Sequence, residues 1–129
     1  MDREREKISG LFTYGTLMIE EIIKKFSNLP TQKSKGFLIG YECRQLKNRK
    51  YPGLIICNGL VNGLLYHHLS DQAFKNIDHY EGQEYNRDIV LVNIDEKQKI
   101  MAWCYFYKEE FRSNILNDEW TLDWYFKNK

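Results

Sequence analysis

Proline is scarce in this 129-residue chain: only Pro30 and Pro52 occur, and without a Ser- or Gly-rich tract or an internal repeat, nothing reads as an interdomain linker. Cysteine is scarce as well. Cys43, Cys57 and Cys104 are odd in number, far apart and without C-x-x-C or C…H-x-H spacing. They build neither a disulfide framework nor a zinc site, and are expected to be small buried hydrophobes. No stretch approaches the ~18 apolar residues of a membrane span, and Met1 to Lys7 reads MDREREK with no apolar leader core. No membrane association and a cytoplasmic location are therefore expected. An excess of one charge is missing too, since 19 basic residues face 18 acidic ones and leave a formal net charge of +1. No global field draws in nucleic acid. Also absent are G-x-G-x-x-G, G-x-x-x-x-G-K-[ST], H-E-x-x-H and G-x-S-x-G, the local signatures of dinucleotide, nucleoside triphosphate, metalloprotease and serine-hydrolase sites. His67 and His68 are adjacent in a strand candidate, where neighbouring side chains point to opposite faces and cannot share a metal.

What is present fits one domain. Residues 1–7 read as a solvated tail, because nothing in them offsets the entropy of ordering, and residues 8–129 as a single domain. Ile8 to Tyr14 is a first strand that stops at Gly15. Met18, Ile22, Ile23 and Phe26 recur at helical spacing, with Glu20, Glu21, Lys24 and Lys25 opposite and Pro30 as the stop. Gly36 to Cys43 alternates around Gly40, a bend of the kind a barrel needs. Leu54 to Cys57 and Leu60 to Leu69 are further strand candidates, separated by the turn-like Asn58-Gly59; Asn62-Gly63, inside the second, is either a bulge or the real turn. Ser70 caps a helix with Ala73, Phe74, Ile77 and Tyr80 as its stripe and Gly82 as its stop. Tyr85 to Ile94 and Lys99 to Tyr107 form a hairpin across Asp95 to Gln98. The aromatic stretch Ile115 to Phe126 is expected to dock as a helix or lid. About six strands in runs, with two or three helices, predict an α+β fold built on a small mixed, mostly antiparallel β-barrel, whose mouth can hold one ligand.

Two segments carry candidate chemistry. Tyr14-Gly15-Thr16-Leu17 lies where the first strand meets the first helix. A glycine there lets the backbone turn sharply, and successive N–H groups ahead of a helix converge on an anion or a developing oxyanion; an ordinary glycine turn has the same letters. In the stretch from Asp78 to Arg87, Glu81 falls at the C-terminal end of its helix. The negative pole and unpaired carbonyls raise the proton affinity of a carboxylate there, as general-base work near neutrality requires, whereas the plain alternative is a solvated helix-end Glu. Asp78 reads as structural and His79 as solvent-facing. Arg87 is either a bidentate ligand for a substrate carboxylate or half of a strand-surface salt bridge.

Together and in this order, these segments resemble the gamma-glutamylcyclotransferase-like, or AIG2-like, family. The matching pieces run from Leu11 to Leu17 (LFTYGTL), Tyr51 to Leu54 (YPGL), Val61 to Tyr66 (VNGLLY), Ile77 to Gly82 (IDHYEG) with Tyr85 and Arg87, and Ala102 to Tyr105 (AWCY). The resemblance implies a small α+β barrel whose cavity contains the strand–helix turn and one acidic residue. It assigns Glu81 as general acid/base, Tyr14, Gly15, Thr16 and Leu17 to recognition of the substrate carbonyl and carboxylate, and Tyr85 and Arg87 to substrate binding. It also implies cyclisation of a small γ-glutamyl amine or amino-acid compound to 5-oxoproline, as in the short gamma-glutamylamine branch, with no metal or organic cofactor, by a monomer or homodimer. The substrate's own α-amino group attacks, so the missing Ser/His/Asp and Cys/His arrangements fit. Where many relatives follow Y-G-T-L with a basic residue and a glycine-containing loop, Met18-Ile19-Glu20-Glu21 enters helix directly, so this segment does not name the leaving group. A non-catalytic domain that holds a small carboxylate or amide in the same cavity is the alternative, and an interaction domain using the tail's tryptophans is a weaker one.

Overall fold

Successive residues of a strand point to opposite faces of a sheet, and in this chain several strands are apolar on both. In the computed structural model, which describes residues 8–27 and 32–129, the two faces build two cores. Phe12, Leu38, Val61, Leu65, Val92, Ala102 and Cys104 pack together on one side. Their chain neighbours Leu11, Tyr66 and Tyr105 join Ala73, Phe74 and Ile77 of a helix on the other.

The elements run β1 (Leu11–Thr13), a 3-10 turn (Thr16–Met18), α1 (Glu20–Ile23), β2 (Lys33–Leu46), β3 (Pro52–Tyr66), α2 (Asp71–Glu81), β4 (Tyr85–Asn93), β5 (Lys99–Tyr107), a second 3-10 turn (Glu109–Asn114), β6 (Ile115–Glu119) and α3 (Leu122–Asn128). Strands are ordered β3-β1-β5-β4-β2, and β2 pairs again with β3, so five strands close a ring and β6 lies outside it on β2. Only the β1–β5 pair is parallel among the described strands. The expected α+β barrel is therefore the observed fold. Among the described residues, no helix is long and apolar enough to cross a membrane.

Several boundaries differ from expectation. The two strand candidates around Asn58-Gly59 are one bent strand, β3, and Asn62-Gly63 lies inside it, so neither dipeptide is a turn. Gly40, at φ +97°, bends β2, and the register with β3 shifts between Ile39 and Tyr41. The reversal instead falls between Leu46 and Pro52, where Asn48 takes φ 60°. The first helix is split, because Ile19 is extended between the 3-10 turn and α1; Pro30 and the tail at 1–7 lie outside the described residues. His67 and His68 follow the end of β3, and His68 has φ 58°, so strand alternation does not govern them. Half of the expected C-terminal helix is strand: β2 continues beyond the ring, and β6 pairs with that free edge through Arg44↔Glu119 and Leu46↔Ile115. Cys104 is buried as expected, but Cys43 and Cys57 are only half-buried.

Gly63 shows how tightly β1 crosses β3. A β-carbon there would collide with the Thr13 carbonyl oxygen and stand 2.6 Å from Cζ of Phe12. Gly63→Ala is expected to lower stability by about 2–4 kcal/mol; an unchanged urea midpoint would show that β1 does not sit this close.

Candidate active site

The apolar stripe of α2 positions its last side chain. Ser70 caps the helix by accepting a hydrogen bond from the Ala73 N–H at 3.1 Å, and Ala73, Phe74 and Ile77 are buried against the sheet. Glu81 follows Ile77 by four residues, which places a carboxyl on the same face as the core. Gly82, at φ +79°, ends the helix immediately afterwards. Among the described residues, no hydrogen bond or ion pair holds the Glu81 carboxyl. Burial, and then the nearby Asp78 carboxylate, push its pKa from 4.5 to about 7. The shift runs in the direction a helix C-terminus implies, but its main cause is desolvation.

Opposite lies the turn that follows β1. Met18 and Ile19 donate to the carbonyls of Gly15 and Thr16, both at 3.0 Å, which leaves the Thr16 and Leu17 N–H groups at the open start of the 3-10 turn. A β-carbon at Gly15 would stand 2.9 Å from Cγ of Pro52, so glycine is required where β3 closes over the turn. The turn and Glu81 line one narrow hollow, in which the centre of a water-sized sphere can move through about 20 Å³.

Of the residues singled out in the sequence, Tyr14, Gly15, Thr16, Leu17, Glu81 and Tyr85 all line this hollow. Arg87 does not. Its Nε and Nη2 donate to Asp78 Oδ1 and Oδ2 at 2.8 and 3.2 Å, and its guanidinium lies 4.6 and 4.5 Å from the Phe74 and Trp103 ring centres. Phe12, Thr13, Tyr51, Pro52 and Tyr105 complete the lining. Tyr51, Pro52 and Tyr105 stood inside family-like pieces, but nothing in their spacing gave them a place in the site.

The phenols serve as fixed walls. Tyr14 donates to the Tyr105 carbonyl at 2.5 Å, and Tyr85 donates to the Pro52 carbonyl. Burial raises the pKa values of both far above the ordinary phenol range, with Glu81 adding to each, so both hydroxyls stay protonated near neutrality. Among the described lining residues none is Lys, Arg or His. Glu81 is the lining carboxyl that burial pushes up to about 7, and the Thr16 hydroxyl and the backbone N–H groups of the turn are donors available to an anion. Among the described residues, no three His, Cys, Asp or Glu side chains gather to hold a metal ion.

A closed five-stranded barrel with one further strand outside it and few helices is a gamma-glutamyl-cyclotransferase-like fold. A solved structure described as gamma-glutamyl cyclotransferase superposes with a TM-score of 0.68 at 15% identity, covering 83% of this chain and 68% of that one. A solution structure of an Arabidopsis thaliana protein gives 0.74 at 22% identity, covering 92% and 80%. The chain belongs to the family described as gamma-glutamyl cyclotransferase, AIG2-like, whose family model matches residues 11–122. Similar curated proteins from Arabidopsis thaliana include AIG2-like protein C, 29% identical, and AIG2-like protein B, 28% identical, over 88% and 91% of this chain. The chain spans about two thirds of the length of these relatives, 66% and 69%.

The raised Glu81 pKa carries a sign for stability. The folded state holds the proton more tightly than the unfolded one, so stability falls as pH rises from about 4.5 to about 7. Glu81→Gln, which removes the ionised form, is expected to stabilise the protein above pH 7 by no more than about 3 kcal/mol and much less at pH 5. Thermal melts at pH 5 and pH 8 test this; an equal effect at both would mean that Glu81 titrates normally.

Proposed function

We propose that this protein is a γ-glutamyl cyclotransferase that converts a small γ-glutamyl amine or amino-acid compound to 5-oxoproline and a free amine, with Glu81 as general base and then general acid. What supports this reading is that one hollow is lined both by a carboxyl that burial pushes up to about 7 and by Thr16 and Leu17, whose N–H groups donate to no backbone carbonyl among the described residues. Cyclisation asks for three things, and the residues supply each.

The substrate must fold so that its α-nitrogen reaches its own γ-carbonyl, and fixed geometry of this kind is worth several kcal/mol. The aromatic walls of Tyr14, Tyr51 and Tyr85 narrow the hollow around such a bent chain. The α-ammonium must lose a proton before its lone pair can attack. Glu81, ionised above about pH 7, accepts that proton. As the N–C bond of the ring forms, the carbonyl oxygen becomes negative, and the Thr16 and Leu17 N–H groups are its donors, at about 3 kcal/mol for each well-placed one. The tetrahedral centre then expels the γ-amide nitrogen, which takes the first proton from Glu81, and Glu81, ionised again, removes the second proton from the ring nitrogen, so that 5-oxoproline is left as a neutral lactam and the amine departs as its ammonium ion. Atoms balance without water, metal or an enzymic nucleophile. No described lining residue is a cation, and the Thr16 hydroxyl is the side-chain donor of this turn that meets the substrate's α-carboxylate.

Incubation with γ-glutamyl amines and quantification of 5-oxoproline tests the reading. For the protein as it stands, kcat/KM is expected to fall about tenfold per pH unit below about 7 and to level off above it. Glu81→Gln is expected to reduce turnover by at least about 10²-fold while leaving the circular dichroism spectrum unchanged. Undiminished turnover in that variant, or binding of γ-glutamyl compounds by the unaltered protein with no product, would remove Glu81 or catalysis from the account.

A further inference from the structure

Arg87 lies outside the hollow, yet it is one of the most constrained charges in the molecule. Its guanidinium sits over the Phe74 and Trp103 rings and makes two hydrogen bonds to Asp78. Asp78 Oδ1 also accepts from the Tyr105 hydroxyl at 2.5 Å. The backbone carbonyl of the same Tyr105 accepts from Tyr14, a wall of the hollow. One carboxylate thus ties the last turn of α2 to β4 and β5. Asp78 precedes Glu81 by three residues, and side chains three apart on a helix are neighbours, with about 5–6 Å between their β-carbons.

We propose that Asp78 and Arg87 form a positioning unit for Glu81: the pair anchors the helix end against the sheet and presents to the Glu81 carboxyl a negative charge that the guanidinium partly cancels. This inference rests on the reading of Glu81 as the proton-transferring group. The other titratable groups around Glu81 contribute little variable charge. Tyr14 beyond β1, Tyr51 before β3, Tyr85 on β4, and Cys104 and Tyr105 on β5 are all raised by burial first and stay neutral in the working range. Glu84, beyond α2, is neutralised by Arg49, whose Nε and Nη2 donate to it at 3.0 and 2.6 Å. His79 is exposed. The Asp78–Arg87 pair is therefore the arrangement whose alteration changes the field at Glu81.

The two partners act with opposite sign, which separates this role from plain scaffolding. In Asp78→Asn, which keeps the shape and an oxygen to accept from Tyr105 and Arg87 Nε but removes the negative charge and the acceptor for Arg87 Nη2, the ascending limb of the kcat/KM profile is expected to move to lower pH by about half a unit. In Arg87→Met, which keeps an apolar stem over the rings but leaves Asp78 uncompensated, the limb is expected to move to higher pH by a similar amount. The ¹³C titration of the Glu81 carboxyl is expected to shift in the same two directions, and it reads the unit even in a variant that has lost turnover. Limbs and titrations that stay in place while activity or Tm falls would overturn the proposal, as would failure of both variants to fold, which would make the pair a folding element only. Turnover retained in Glu81→Gln contradicts the catalytic reading instead, and unmoved ¹³C titrations contradict the positioning unit alone.

Discussion

Placing a carboxylate on the apolar face of a helix is costly unless something compensates it, and that placement is the constraint around which the rest of the molecule is arranged. Ile77 is fully buried, and Glu81 lies one turn further along the same face of α2. No cation among the described lining residues relieves it. The cost appears as a raised proton affinity, and a group that holds its proton until about pH 7 is one that can give and take protons under ordinary conditions. The property that makes Glu81 a burden to folding is the one on which the proposed proton transfer draws.

The barrel's task is to bring a second feature to this carboxyl. β1 has only three residues and is followed at once by the Gly15 turn. Two close approaches fix that turn in place, Gly63 of β3 under the Thr13 carbonyl and Pro52 of β3 against Gly15. Both depend on β3 being one long strand whose two ends reach different parts of β1. The bend at Gly40 and the register shift beside it allow β2 and β3 to stay paired along that length. Hydroxyls of Tyr14, Tyr66 and Tyr85 then bond to backbone carbonyls of Tyr105, Leu17 and Pro52. These bonds stiffen the walls without adding charge to them.

Much of this architecture could be read from residues, for identifiable reasons. The α2 cap and stop, the stripe of Ala73, Phe74 and Ile77, and the β4–β5 hairpin are local patterns that survive in the structure, whereas Tyr80, expected in that stripe, is exposed. The Gly15 turn and Glu81 were legible as a pair only through their order along the chain, since nothing local says that positions 15 and 81 meet. Asn58-Gly59 misled because a dipeptide suited to a tight turn also suits a bulge, and the outcome depended on how far β2 extends as a partner. Residues 115–119 form a strand for the same reason: the free end of β2 recruits them. Arg87 fits two roles in the sequence, and its partner in the structure is Asp78, nine residues back on another element. Desolvation of Glu81 could have been inferred from Ala73, Ile77 and Glu81 at four-residue spacing, a stronger signal than the helix pole.

The central claim is that one small acid touches the Glu81 carboxyl and the Thr16 and Leu17 amides at the same time. Titration with 5-oxoproline, followed by NMR in a sample with labelled backbone amides and labelled Glu carboxyls, tests it most directly. The account predicts that the Thr16 and Leu17 amide signals and the Glu81 carboxyl carbon move together along one binding curve. Movement of the amides with Glu81 unaffected, or of Glu81 with the turn unaffected, would contradict it.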